Sequence, residues 1–195
     1  MALSVDTQRA LFKHLNRVTI LEWRLGLGGW MNRGPMILGR YMVLTTRGRK
    51  TGLPRRTPVN CARDGARVYC VAGFGARADW YRNLVANPAV EVWLPEGAWA
   101  GRATTVTDAE ERRRVMRAVL VASGFAASLF GGLDPNAMSD EAVQEATAEW
   151  PLVRVELEYP LPQTEGPGDL AWVWPLLVVG GAVAWRLRRR RAAHV

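Results

Sequence analysis

Residues 47–58, RGRKTGLPRRTP, set Arg47, Arg49, Lys50, Arg55 and Arg56 around two glycines and a proline. A turn so dense in cations points to an anion. Gly48 and Gly52 would let backbone N–H groups face inward while Arg49, Lys50 and Arg55 hold phosphate or carboxylate oxygens. The triphosphate-binding pattern GxxxxGK[ST] is excluded, because Lys50 and Thr51 follow Arg49 and Gly52 comes after them. The alternative is a solvated turn whose cations only oppose edge pairing.

Other chemistry-bearing residues are few. The histidines are His14 and His194 and the cysteines Cys61 and Cys70, which excludes a His/Cys metal cluster and a His-based triad. Tyr69 and Tyr81 are candidates for a proton donor or an acceptor-binding hydroxyl; the alternative for each is amphipathic packing with the hydroxyl to solvent.

The elements that must position these residues follow from pattern. A chain of 195 residues, 49% hydrophobic, holds one core of ordinary size. Residues 6–25 place Leu11, Leu15, Val18 and Leu25 near helical spacing and end at GLGG. MILGRYMVLTT predicts a buried strand entering the basic turn, and Asp64-Gly65 a two-residue hairpin turn. With Arg63 opposite Ala66, Val59, Cys61, Val68 and Cys70 share one face and Arg67, Tyr69 and Val71 the other. Cys61 and Cys70 are then diagonal neighbours roughly 7 Å apart, expected as reduced core residues rather than a redox pair. ADWYRNLVANP predicts a short helix capped by Asp79 and stopped before Pro88, and AVEVWLPEGAWAGRATTV a second hairpin turning at residues 95–97.

Thr107 and Glu110 suit a capping box for a helix whose Arg112, Arg113, Arg114 and Arg117 make a solvated face. A further helix near residues 139–149 leads to a half-buried last strand in which Val153, Val155 and Leu157 alternate with Arg154, Glu156 and Glu158. Helices inserted between antiparallel hairpins give an α+β fold around a small β-barrel.

LTTRGRKTGLPRRTPV, then an RDG hairpin, then VAGFG and DWYRNLVANPAVEV resemble the deazaflavin-dependent nitroreductase family, also described as coenzyme F-420-dependent quinone or nitro reductases. The resemblance runs from about Arg40 to Val106 and continues weakly to Glu158. It implies a split β-barrel, usually a homodimer, with the coenzyme in a groove along the barrel. Arg49, Lys50, Thr51, Gly52 and Arg55 fall where the family holds the coenzyme phosphate and acidic tail, with Pro54 shaping the loop. Ala72, Gly73, Phe74 and Gly75 fall where the backbone passes the deazaflavin ring; Asp79, Trp80 and Tyr81 open the helix beside it. Two departures stand out. AGFGARADWY is shorter than the lysine-bearing form of the nitro-reducing members, and Asn60 replaces a tyrosine that lines their substrate pocket. Reduced deazaflavin delivers a hydride, so the protein's part is positioning, electrostatics and one proton donor at most.

The formal charge of +8 suggests nucleic acid, yet Arg186, Arg188, Arg189, Arg190 and Arg191 supply five of it and leave about +3 for the body. The basic turn also lacks stacking platforms, with no aromatic residue between Tyr41 and Tyr69. No secretory signal is read at the N-terminus, so a cytosolic catalytic domain is expected.

After residues 161–169, a Pro/Gly linker, residues 170–185 are uncharged, about 24 Å as a helix, with Trp172, Trp174 and Trp185 near the ends and arginines beyond. They predict a transmembrane or membrane-associated helix, with core or dimer packing as the alternative. The arginines conflict with simple crossing; a partly inserted helix returning to the cytosolic face avoids the conflict.

The expected organisation is a lead-in at 1–35, the coenzyme-binding barrel at 36–160, the linker, the membrane helix and a basic tail at 186–195. The expected function is a membrane-associated oxidoreductase passing a hydride from reduced coenzyme F-420, an 8-hydroxy-5-deazaflavin, to a hydrophobic quinone-like, enone or nitro acceptor. The alternatives are an FMN-dependent reductase of the same barrel and a non-catalytic carrier.

Overall fold

Alternation along six strands decides the architecture. In the computed structural model, which describes residues 5–35, 39–162 and 166–192, β1 (Tyr41–Arg47), β2 (Pro54–Asp64), β3 (Arg67–Val71), β4 (Ala89–Leu94), β5 (Gly97–Thr105) and β6 (Leu152–Pro160) close an antiparallel barrel in the order β1-β2-β3-β6-β5-β4. Residues 36–38 of the expected first strand, 163–165 of the linker and 193–195 of the tail lie outside the described residues.

Met42, Leu44, Val68, Cys70, Val92 and Val155 are among the residues that fill the barrel interior. A helix, α3 (Asp79–Ala86), closes one end by adding Leu84, with Trp80 and Tyr81 packed against the cluster. Apolar residues on the outer face of the strands are covered by helices, as a layered α+β fold requires. Trp23 of α1 (Val5–Arg24) packs with Val43 and Trp93. The four-residue α2 (Gly28–Met31) follows α1. Val115, Met116, Val119 and Leu120 of α4 (Ala109–Ala122) cover Tyr69 and Leu152. Two short helices, α5 (Phe125–Gly131) and α6 (Asp140–Ala146), connect α4 to β6.

Several local expectations shift. The first hairpin pairs Asp64 with Arg67 and Cys61 directly with Cys70, so Gly65 and Ala66 make the turn. This register differs by two residues from the expected one, and a period of two keeps every side chain on its expected face. Both cysteines are free and buried. Burial pushes the Cys61 thiol to about 12 and the Cys70 thiol further up, which keeps both from ionising.

The cap of α4 is Asp108, which accepts the Glu111 N–H at 2.7 Å, in place of the Thr107–Glu110 box. The N-cap of α3 is Ala78 without a side-chain bond; the Asp79 carboxylate is taken by Arg49 instead. The α4 arginines are a solvated face only in part: Arg113 and Arg114 are exposed, yet three of the four are bonded. Arg114 bonds Asp64 at 2.9 Å and Arg117 bonds Asp140 at 2.7 Å and the Met138 carbonyl at 2.8 Å, while Arg112 reaches the Trp150 carbonyl at 3.1 Å. They tie the hairpin and α6 to α4.

The C-terminal stretch differs most. Gly168 N–H donates to the Trp23 carbonyl and Leu170 N–H to that of Arg24, both at 2.9 Å, and the Trp174 indole N–H donates to the Leu25 carbonyl at 2.9 Å. Asp169 accepts two bonds from Arg24 Nε and one from Nη2 at 2.8 Å. These bonds add to the end of α1, where the Trp23 carbonyl also accepts the Gly26 N–H at 3.0 Å, and the helix expected over residues 170–185 begins only at Val173, as α7 (Val173–Ala192). Among the described residues no helix is long and apolar enough to cross a membrane, which corrects the expectation of a transmembrane segment.

Candidate functional site

The basic turn is a short loop closing β1 onto β2. Gly48 N–H donates to the Leu53 carbonyl, the Thr51 and Gly52 amides return to the Gly48 carbonyl, and Leu53 N–H meets Thr51 Oγ1. The Arg49 N–H donates to Asn83 Oδ1 at 3.2 Å. The Gly48, Thr51, Gly52 and Leu53 amides are spent on the loop itself and the Arg49 amide on α3, so they do not form the inward-facing cradle that the two glycines suggested. The glycines serve closure: a Cβ on Gly48 would sit 2.9 Å from Thr51 Oγ1, and Gly52 has a φ of +69°.

The cations divide by partner. Arg49 is anchored to α3, with Nη1 3.0 Å from Asn83 Oδ1 and Nη2 2.9 Å from Asp79 Oδ1. Arg56 lies over the Trp93 ring, 5.0 Å from its centroid. Arg47, Lys50 and Arg55 are exposed. Asn83, which the sequence reading missed, joins three elements: its Oδ1 accepts from Arg49, and its Nδ2 donates to Thr46 Oγ1 at 3.3 Å. Both Asn83 and Thr46 are buried, at 5% and 1% exposure. An asparagine on the buried face of a short helix, beside Leu84, was the available signal.

Beside the loop a cleft of about 360 Å³ runs between the barrel and the helices. Its barrel wall is Thr57, Val59 and Asn60 of β2 with Gly73 and Phe74 after β3, and Asp79 and Trp80 stand where α3 begins. The opposite wall comes from far along the chain: Asn16 of α1, Leu120 and Ser123 of α4, Ala126 and Ala127 of α5, and Trp150. Nothing lies within 4 Å of a Cβ built on Gly73, so a side chain there would take up room in the cleft. Through the Arg49–Asp79 pair the basic loop adjoins the cleft mouth.

The expected residues therefore scatter. Gly73, Phe74, Asp79 and Trp80 line the cleft. Lys50, Thr51 and Arg55 are exposed around the loop, Ala72 is buried, and Gly75 opens a 3-10 turn. Gly52 and Pro54 instead line a second groove of about 380 Å³, with Arg47, Glu91 and Tyr159.

Neither candidate tyrosine lines the cleft. Tyr81 packs on the barrel core, and its hydroxyl is 3.1 Å from Thr105 Oγ1. Tyr69 is 1% exposed under α4 and donates to Glu111 Oε1 at 2.7 Å, which excludes both the cleft role and a solvated hydroxyl. Burial, then the Glu111 hydrogen bond, raises the Tyr69 pKa; that bond and Arg154, with Nη1 2.9 Å from Glu111 Oε2, lower that of Glu111. The cluster is structural. No general acid other than Asp79 lines the cleft among the described residues.

The sequence pattern of a protein family, F-420H(2)-dependent quinone reductase, matches residues 25–128, more than half of the chain. The chain belongs to this family. Among similar proteins, an F-420H(2)-dependent quinone reductase of Mycobacterium tuberculosis is 44% identical over 54 residues, 26% of this chain and 36% of that protein. The chain thus spans about a third of the curated relatives it matches. Among solved structures, an F-420-H2 dependent reductase shares 23% identity over 60% of this chain and 93% of its own, with a TM-score of 0.44. A conserved hypothetical protein of Mycobacterium tuberculosis shares 20% over 74% and 86%, with a TM-score of 0.46. The family's reductant is reduced coenzyme F-420, and the matched residues include the basic loop, the barrel wall of the cleft and α3.

Proposed function

We propose that this quinone reductase family member uses reduced coenzyme F-420 to reduce a hydrophobic, conjugated acceptor in the cleft. The observation that carries the proposal is an apolar slot with aromatic walls, Phe74, Trp80 and Trp150, whose mouth adjoins a loop bearing exposed Lys50 and Arg55. A planar ring with an anionic tail fits this arrangement, and the open space above Gly73 leaves the ring room beside the backbone. Bound there, the reduced deazaflavin would supply a hydride. The chain's own part would be to bind the phosphate through Lys50 and Arg55, to keep Arg49 and the loop fixed through Asn83, and to shield the slot with the helix wall. The hydroxyls in the cleft, Thr57 and Ser123, are poor proton donors, so the acceptor's proton would come from water.

Purified protein is expected to bind coenzyme F-420 in preference to FMN and to oxidise its reduced form with quinone, enone or nitro acceptors. Preference for FMN would reassign the cofactor, and binding without turnover over that panel would make the protein a carrier.

The proposal includes membrane association through α7, its apolar first half partly inserted. Leu176, Leu177, Val178, Val179 and Trp185 are all exposed, Trp172 and Trp174 sit exposed at its start, and the arginines from Arg186 onward suit anionic headgroups. The full chain is expected to co-sediment with vesicles containing phosphatidylglycerol. A variant ending at Trp174, which keeps the Asp169–Arg24 and Trp174–Leu25 contacts, is expected to stay soluble beside the vesicles and to bind coenzyme. Equal sedimentation of the two forms would remove α7 from the proposal.

A further inference from the structure

We infer that Asn16 of α1 selects a carbonyl acceptor, its carboxamide N–H holding the oxygen of the bound quinone or enone. This rests on the function proposed above. If the coenzyme ring lies along the barrel wall at Gly73 and Phe74, the acceptor must meet the helix wall. That wall is apolar at Leu120, Ala126 and Ala127, and its two small polar side chains are Ser123 and Asn16. Ser123 donates its hydroxyl to the Val119 carbonyl at 2.8 Å. Across the cleft, Asn60 Nδ2 already donates to the Arg40 carbonyl at 3.3 Å. The Asn16 carboxamide lines the cleft, half-buried, and among the described residues it has no hydrogen-bond partner.

A primary amide at this place suits a carbonyl for a physical reason. On reduction the acceptor would take up the coenzyme's hydride and a proton from water, and the proton from the coenzyme's ring N–H would pass to solvent. The electron pair arrives at the conjugated carbonyl, so negative charge grows on its oxygen. A fixed N–H donor stabilises that charge and yields no proton of its own. Asn16 lies outside residues 25–128, which match the family, so acceptor choice would be set by a segment beyond the shared coenzyme-binding part.

The test is a binding measurement that needs no turnover. Full-length protein carrying oxidised coenzyme F-420 is titrated with 1,4-naphthoquinone and with naphthalene, which has the same rings and no carbonyl. Asn16→Leu is expected to weaken naphthoquinone about tenfold, leave naphthalene within twofold and leave the coenzyme Kd within twofold. Asn16→Asp, an acceptor in place of a donor, is expected to weaken naphthoquinone further, and it serves as the second variant if leucine disturbs α1. Unchanged naphthoquinone affinity in either folded variant, or an equal loss for naphthalene, would overturn the inference. Failure of the wild type to bind coenzyme F-420 would instead overturn the proposed function, and the two results are read from separate titrations.

Discussion

Replacing Asn83 by leucine is expected to lower the melting temperature by roughly 5–10 °C and to weaken coenzyme binding together with it. The side chain is 5% exposed and accepts from the Arg49 amide and guanidinium while donating to Thr46 Oγ1. Leucine fills similar space and removes all of these partners. Thr46, at 1% exposure, is left with an unpaired buried hydroxyl, and leaving such groups unmatched costs about 1–3 kcal/mol each. For a chain of this size each kcal/mol moves the midpoint by about 2–4 °C. The function follows the fold here, because Asn83 is what fixes the basic loop to α3. Thermal unfolding alongside coenzyme titration is the measurement, and a midpoint within 1–2 °C of wild type would show that Asn83 is not the joint between loop and helix.

The second large effect is expected from Lys50→Ala combined with Arg55→Ala. Both side chains are exposed beside the loop, so each charge-assisted contact with the coenzyme phosphate sits at the low end of about 1.5–3 kcal/mol. Together they are expected to weaken coenzyme binding about 100-fold at low salt, with the gap to wild type narrowing as salt screens exposed charges. The coenzyme KM should rise far more than kcat falls, since the loss is shared by ground and transition states. Arg49→Ala separates from this pattern: its guanidinium is held by Asn83 and Asp79, so its deletion should lower thermal stability and cost affinity that high salt does not mask. Coenzyme affinity in the Lys50/Arg55 variant that is unchanged and insensitive to salt would return the loop to its reading as solvated charge.

By itself the sequence determined what is local. Alternation put Val153, Val155 and Leu157 toward the barrel core, and because a strand repeats every two residues, the faces of Cys61, Val68 and Cys70 were right even though the pairing register shifted by two residues. The loop of cations, the short helix after it and the order of hairpins were likewise readable, since each is set by neighbours within a few residues.

What tertiary structure decided is which side chains are already taken. Tyr69 reads as amphipathic, yet its hydroxyl is held by Glu111, 42 positions away, and Arg49 reads as a phosphate ligand, yet Asn83, 34 positions away, holds it. The far wall of the cleft joins Asn16 to Leu120 and Trp150, a gathering that no local pattern encodes. Residues 168–170 read as linker and helix start, yet they bond two carbonyls and the Arg24 guanidinium at the end of α1. A hydrogen bond is chosen by whichever partner the packed chain brings within about 3 Å, and that choice exists only once the helices have closed on the barrel.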